Sequence, residues 1–193
     1  MLHSDFRRAL EPLTVADMLG AIRAADDYGS AKQAEALHGL LPWRAPVGPE
    51  ALFTHWRERF GDACTPFDDV APVVAALRER GIAMGLVTDG PSSLQRAKIK
   101  ALGIGDEMSV IAISGELGIE KPDRAIFDHA LAAIGCCAAE AWFVGDHPVL
   151  DVAGASDAGL TAFWVKTGVA QDASPEPARV LAQLGALLNY LPR

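Results

Sequence analysis

The sequence has few cysteines, few basic residues and no long apolar run. Its 193 residues include 3 cysteines, an odd number without the spacing of metal ligands, and we interpret them as reduced thiols of a cytoplasmic protein. Lysine and arginine number 17 against 25 aspartates and glutamates, a net charge of -8, which disfavours nucleic acid and anionic membranes as partners. The N-terminus lacks the apolar segment of a signal peptide, and no stretch reaches the length of a membrane span. We therefore expect a cytoplasmic protein that binds neither nucleic acid nor membranes.

Nucleotide-binding glycine motifs are also missing. Neither Gly-x-Gly-x-x-Gly nor a P-loop follows any apolar run, which disfavours an unrelated doubly wound nucleotide-binding domain. By contrast, 50% of the residues are hydrophobic. This is ample for one packed α/β domain and a small helical region.

The first third of the chain predicts helices and no strand. Thr14 and Ser30 are suitable caps for two amphipathic helices, and Pro49 suits the first turn of a third. The rhythm changes after a proline-containing loop. We predict a helical region over residues 1–65 and an α/β region over 66–193.

Helices and strands alternate in the second region. Short apolar runs predict strands over 82–87, 110–113, 141–144 and 161–165. Helical patterns predict helices over 70–80, 92–102, 122–134, 152–158 and 176–191. Alternation at this spacing indicates a parallel sheet with right-handed crossovers.

Groups suited to binding an anion follow two of these elements. Thr88 comes directly after the first predicted strand and offers a hydroxyl, and the backbone amides of the Asp89-Gly90 turn behind it could form an anion nest. Lys121 precedes a helix, where its charge could neutralise a phosphoryl oxygen or hold a carboxylate. Each signal is weak alone, but their order along successive strand ends indicates a common site.

Two aspartates follow the strand at 141–144. Asp146 falls at its carboxyl end, and Asp151 lies five residues later, at the start of the next helix. In parallel α/β sheets this edge carries the ligand crevice, and carboxylates there are the hard ligands that Mg²⁺ favours. The alternative is a turn aspartate followed by a helix N-cap, and these residues alone leave both open. His147 is either a site residue or an exposed loop histidine.

Three sequence motifs resemble those of one family. VTDG at 87–90, GIEKPDRAIFDHAL at 118–131 and VGDHPVLDVAGASDAGL at 144–160 resemble motifs II, III and IV of the haloacid dehalogenase-like (HAD) phosphohydrolases. Residues 1–62 resemble the α-helical cap of the first subfamily of that group. The resemblance implies a HAD-like Rossmannoid parallel sheet with a small α-helical cap, and a Mg²⁺-dependent phosphatase acting on a small phosphorylated metabolite. The Gly-Asp pair at 145–146 favours phosphatase chemistry over dehalogenation.

The resemblance also assigns roles to residues. The position of Thr88 binds the transferring phosphoryl group and that of Lys121 stabilises its charge. Asp146 matches the Mg²⁺ ligand, and Asp151 matches the acid that orients the metal shell or the lysine. The predicted site therefore comprises Thr88, Asp89, Gly90 and Lys121 for the substrate and Asp146 and Asp151 for the metal, with Thr88, Lys121 and Asp146 as catalytic residues.

One family feature is missing from the sequence. Members begin with a strand ending in Asp-x-Asp, whose first aspartate is the nucleophile and whose second is the general acid/base; this chain contains no Asp-x-Asp. We therefore expect the chain as written to be inactive or nearly so and to bind Mg²⁺ weakly. Two explanations stay open: a sequence that starts too late, or a natural non-catalytic module that binds phosphate or regulates.

The same feature bears on assembly. In the family that strand lies in the middle of the sheet, so without it two rows of backbone groups lack partners. The sheet must close the gap, recruit another segment or pair with a second chain. A homodimer formed through the incomplete sheet is one expectation.

Overall fold

The computed structural model describes residues 35, 38–39, 47–59, 61, 64–166 and 177–191, without the side chains of residues 56 and 57. The chain divides into two compact units, Met1–Cys64 and Thr65–Arg193. In the first unit, helix α1 spans Pro49–Arg59 and buries Leu52. The helix predicted from Thr14 lies outside the described residues, and the one predicted from Ser30 is described at residues 35, 38 and 39 alone, which are helical. A cap role for this unit stays a prediction.

The second unit alternates strands and helices. Its described strands are β1 (Gly85–Thr88), β2 (Val110–Ile113), β3 (Trp142–Gly145), β4 (Thr161–Val165) and β5 (Arg179–Leu181). Its α-helices are α2 (Val70–Glu79), α3 (Ser92–Leu102), α4 (Ser114–Leu117), α5 (Arg124–Ile134) and α6 (Gly154–Asp157). A π-helical segment, Pro148–Ala153, leads into α6, and 3-10 turns occupy Gly105–Glu107, Ala138–Glu140 and Leu184–Tyr190. Within the described ranges, a helix with the length and apolar surface needed to traverse a bilayer is not found.

The described strands form two parallel sheets. β1 pairs with β2, placing Thr88 opposite Ile113, and the second sheet has the order β3-β4-β5. Among the described strands, β1 and β3 are not paired with each other. The predicted α/β fold with parallel strands and helical connections is confirmed. Side chains at the carboxyl ends of β1 and β3 are therefore placed to build a site.

Strand β4 is covered on both faces. Ala162 and Trp164 belong to one buried cluster, whereas Phe163 packs with Val73 of α2 and Leu181 of β5 in another. Successive residues of a strand point to opposite faces. A strand buried on both faces reads as a continuous apolar run, which is the pattern that predicted it.

Helix α5 packs against both sheets. Its Ile126 and Ala130 share a buried cluster with Ala112 of β2. Its Phe127 ring meets the ring of Phe143 in β3 edge to face, with centroids 5.1 Å apart. One helix thus packs against both sheets, which are not hydrogen-bonded to each other among the described strands.

Two predicted boundaries in this unit are corrected by the structure. The first strand begins at Gly85 rather than at residue 82. Helix α5 begins at Arg124 rather than at Pro122, because the Asp123 carboxylate accepts a 2.9 Å hydrogen bond from the Ala125 amide and caps the helix there.

The predicted helix over 176–191 is wrong. Arg179–Leu181 forms β5 and Leu184–Tyr190 a 3-10 turn. The edge of β4 opposite β3 offers backbone groups to this segment, pairing Phe163 with Arg179. Leu181 and Leu187 bury themselves against that sheet. Tertiary pairing outweighs the helical pattern of a leucine-rich stretch.

Candidate active site

Lys121 joins the ends of β1 and β3. Its Nζ atom lies 2.6 Å from Oδ1 of Asp151, with side chains 12% and 7% exposed. Its backbone N–H donates to Oδ1 of Asp89, just beyond β1, over 3.1 Å. The Nζ atom also lies 5.9 Å from the ring centroid of Phe143 in β3. A fixed positive charge is therefore held where the two strands end.

The Asp151 carboxylate accepts three hydrogen bonds. Its Oδ1 accepts from Lys121, and its Oδ2 accepts from the backbone amides of Asp146 (3.1 Å) and His147 (2.9 Å). A Cβ atom on Gly145 would lie 2.5 Å from three Asp151 atoms. Glycine ends β3 because this carboxylate packs against the main chain.

The helix-cap interpretation of Asp151 is wrong, because His147 fills that position. Its Nδ1 accepts from the amides of Val149 (3.2 Å) and Leu150 (3.1 Å) at the start of the π-helical segment. An unprotonated Nδ1 places the ring proton on Nε2. His147 is half-buried and structural, a role that neither of the sequence-based alternatives included.

Asp146 is exposed at the carboxyl end of β3. Its carbonyl oxygen accepts a 3.0 Å hydrogen bond from Nε1 of Trp164 in β4, and its amide is held by Asp151. The main chain is thereby fixed on two sides. The Asp146 carboxylate belongs to a rigid loop at the sheet edge.

The turn after β1 is held by two buried side chains that the sequence did not single out. Thr88 Oγ1 donates to Oε1 of Gln95 (3.1 Å), and Nε2 of Gln95 donates to the Asp89 carbonyl oxygen (2.7 Å). The Gly90 amide donates to Oγ of Ser114 (2.9 Å). This amide, predicted to bind an anion, thus already has an acceptor.

An exposed ion pair joins the two helices behind this turn. Arg96 of α3 donates to both carboxylate oxygens of Glu116 in α4, over 2.8 and 2.7 Å, and Ser92 also donates to it. The guanidinium, and secondarily the Ser92 hydroxyl, lower the pKa of Glu116 to about 2. The pair connects the helices that carry Gln95 and Ser114.

Replacing Glu116 by glutamine is expected to destabilise the fold in a pH-dependent way. A depressed pKa contributes stability that is present above about 4.5, the ordinary value, and is lost as pH falls through about 2. The difference in unfolding free energy between wild type and Glu116→Gln should therefore be present at neutral pH and vanish towards pH 2. Urea unfolding at a series of pH values measures it. In the control Arg96→Met, the carboxyl NMR resonance of Glu116 should titrate nearer the ordinary pKa of a glutamate. If Glu116 already titrates near that ordinary pKa in the wild type, the prediction is contradicted.

The carboxylates of Asp146 and Asp151 meet part of what a Mg²⁺ site needs. Among the described residues, no group of three or more histidine, cysteine, aspartate or glutamate side chains is arranged to hold a metal. Mg²⁺ often binds through one or two carboxylates, with waters and substrate phosphate completing its shell. Asp146 is exposed at this edge and its carboxylate is a candidate ligand; both oxygens of Asp151 accept hydrogen bonds.

Parallel strands flanked by helices, with charged side chains gathered at their carboxyl ends, define an open α/β protein with its site at the strand ends. The sequence profile of haloacid dehalogenase-like hydrolases matches residues 5–159. The chain belongs to this family of hydrolases, as its motifs predicted.

Known proteins resemble the chain in sequence and in fold. Phosphoserine phosphatase of Thermus thermophilus is 41% identical over 141 residues, 72% of this chain and 55% of that protein. Glyceraldehyde 3-phosphate phosphatase of Methanopyrus kandleri is 38% identical over 110 residues, 57% of this chain and 47% of that protein. The chain thus spans about half the length of each. YfnB from Bacillus subtilis, described as a HAD hydrolase bound to magnesium, shares the fold with a TM-score of 0.77 over 98% of this chain and 88% of its own, at 18% identity.

The structure brings most of the predicted site residues together. Asp89, Lys121 and Asp151 contact one another in series, and Asp146 joins them through its amide. Thr88 lies one residue from Asp89, and its hydroxyl faces Gln95. Their catalytic and metal-binding roles stay predictions.

Proposed function

We propose that the site is that of a phosphatase acting on a small phosphorylated metabolite with Mg²⁺. The position of Lys121 carries the proposal: its backbone N–H bonds to Asp89 beyond β1, and its ammonium group bonds to Asp151 in the segment after β3. An ammonium group has three donors, so Lys121 can serve a phosphoryl oxygen while it keeps Asp151. The phosphatases similar in sequence support this chemistry.

Charge balance supports a metal ion. Three carboxylates, of Asp89, Asp146 and Asp151, and one ammonium group lie at these strand ends, so the site is net negative before a ligand enters. A phosphate dianion would be repelled, since two like unit charges about 4 Å apart repel each other by about 4 kcal/mol at an effective dielectric constant near 20. Mg²⁺ bound by Asp146 and the substrate phosphate would cancel that negative charge and draw charge from the phosphoryl group.

The chain's own residues would bind and orient the phosphoryl group. Lys121 would neutralise one of its oxygens, and the hydroxyl of Thr88 would donate to another once it turns from Gln95. Asp89 and Asp151 would keep the lysine in place. None of these residues matches the family's nucleophile, which belongs to the Asp-x-Asp that this sequence does not contain. The 193-residue chain as written is therefore proposed to be inactive.

The test is turnover of an aryl phosphate with Mg²⁺ by two proteins: this chain and a form extended upstream in its reading frame. We expect only the extended form to be active. In that form Lys121→Met should lower kcat by at least about 100-fold, because it removes a cation from the transferring group, whereas Lys100→Met, on the exposed side of α3, should leave it unchanged. Activity in the shorter chain would overturn the argument about its nucleophile. Inactivity of both proteins would favour the non-catalytic binding module.

A further inference from the structure

Gln95 is a buried polar side chain at the start of α3. It lies in the first turn of α3, is 7% exposed, and both of its amide atoms bond to the turn after β1. A glutamine on a surface helix is normally solvated. Nothing in the apolar packing of α3 requires an amide at this position.

The two contacts fix the orientation of the amide. The Asp89 carbonyl oxygen can only accept a hydrogen bond, so the nitrogen of Gln95 must face it, at 2.7 Å. Oε1 is then left to accept from the hydroxyl of Thr88, at 3.1 Å. Gln95 thus sets both the backbone of Asp89 and the rotation of the Thr88 side chain.

The turn packs closely against the starts of α3 and α4. Gly90 has φ +128, a conformation that favours glycine, and a Cβ there would lie 2.7 Å from Nε2 of Gln95. On the other side, a Cβ on Gly115 would lie 2.6 Å from the Gly90 carbonyl oxygen. Ser114, 8% exposed, accepts from the Gly90 amide. The turn is clamped between the starts of α3 and α4.

We propose that Gln95 is a positioning residue for phosphate: it holds the Asp89 backbone and the Thr88 side chain in place at the end of β1, and the Thr88 hydroxyl exchanges Gln95 for a phosphoryl oxygen when the ligand binds. This rests on the proposed function of the site. Gln95 does not touch the ligand. It acts through the hydroxyl and the carbonyl that it contacts.

The decisive variant is Gln95→Glu, which keeps the shape of the side chain and replaces the donating amide nitrogen by a carboxylate oxygen, an acceptor when ionised. When ionised, the new carboxylate faces the Asp89 carbonyl oxygen with no proton between them, and the turn should be displaced. When protonated, it again donates to that carbonyl and accepts from Thr88. Phosphate binding by the variant should therefore be weak at alkaline pH and recover on acidification. A variant that only disturbs the packing of the fold would not recover in this way.

Other charges near the turn do not mimic this behaviour. They are Asp89 beyond β1, Lys121 before α5, Asp151 in the π-helical segment, and the Arg96–Glu116 pair between α3 and α4. All are present in both proteins, so the ratio of the variant's affinity to that of the wild type cancels their titration and that of phosphate. Ser93→Glu, at an exposed position in the same turn of α3, controls for the added negative charge.

The experiment is a calorimetric titration of the 193-residue chain with inorganic phosphate and Mg²⁺ at about pH 8 and about pH 5.5. These values lie either side of the range in which a buried carboxyl that faces a carbonyl oxygen exchanges its proton. We expect Gln95→Glu to bind at least about tenfold more weakly than wild type at the higher pH, the equivalent of one buried hydrogen bond, and within about twofold at the lower pH. Ser93→Glu should bind like the wild type at both.

The outcomes separate the two proposals. If the wild type binds phosphate and Gln95→Glu binds equally at the higher pH, or remains weak at both, the positioning role is overturned while the proposed function stands. If the wild type does not bind phosphate, this inference is overturned, while the proposed function is decided separately by turnover in the extended form. Circular dichroism of Gln95→Glu at both pH values shows whether a loss of binding reflects unfolding, in which case the role is structural and the proposal is wrong.

Discussion

Replacing Asp151 by alanine is expected to lower the free energy of unfolding by about 3–5 kcal/mol, the range found when one partner of a buried ion pair is removed. The Lys121 ammonium, in a side chain only 12% exposed, would lose its counter-charge. The amides of Asp146 and His147 would lose their acceptor at the same time. Urea unfolding followed by circular dichroism measures the change.

A double variant identifies the cause. Lys121→Met leaves Asp151 with its two amide donors, and it should cost less than Asp151→Ala. Lys121→Met combined with Asp151→Ala should cost less than the sum of the two, because no charge is left buried without a partner. The matched control is Asp128→Asn, which weakens the exposed Arg124–Asp128 pair, 65% and 50% exposed, and should cost at most about 0.5 kcal/mol. A cost for Asp151→Ala as small as that of the control would contradict the prediction.

Gly145→Ala is expected to destabilise the fold by about 3 kcal/mol, at the upper end of the range for inserting a methyl group into a packed interior. The new Cβ would meet Cβ, Cγ and Oδ2 of Asp151 at 2.5 Å. The carboxylate cannot withdraw without leaving Lys121 and two backbone amides. The variant should therefore lose stability and disturb the ion pair together.

The control for this variant is Gly185→Ala, in the Leu184–Tyr190 turn. A Cβ there would have ordinary contacts of 3.5 to 3.8 Å with Asp69 and Gln183, so the change in unfolding free energy should stay within about 0.5 kcal/mol. Urea unfolding compares the two alanine variants. Equal stability of both would show that the loop after β3 is free to move away from Asp151.

Much of the second unit could be predicted from local pattern. The runs at 110–113 and 161–165 are apolar because each strand is covered by helices, and they form β2 and β4 as predicted. Patterns that end at glycine gave the helices α3 and α5, where Gly103 and Gly135 adopt φ of +66 and +80. The C-terminal segment could not be predicted this way, because β5 depends on an edge of β4 that no local pattern reveals.

The candidate site, like the second unit, could be predicted in part from the sequence. The carboxyl ends of parallel strands meet at one edge, so Thr88, Lys121 and Asp151 could be grouped from their places along the chain. Gln95 and Ser114 could not, because their contacts depend on how α3 and α4 are rotated against the turn. His147 was misjudged for a related reason. A histidine can accept two amide hydrogen bonds at a helix start, a use that its residue type does not suggest.

The two sheets of the second unit are joined by side chains and by α5, whereas β1 and β3 share no hydrogen-bond ladder within the described residues. Within those residues, the contacts between the two sides are made by side chains: the hydrogen bonds of Lys121 and the Phe127–Phe143 ring contact. The packing of α5 therefore contributes to where the end of β3 lies. A smaller side chain at residue 127 is expected to shift Phe143 and, with it, the loop that carries Asp146.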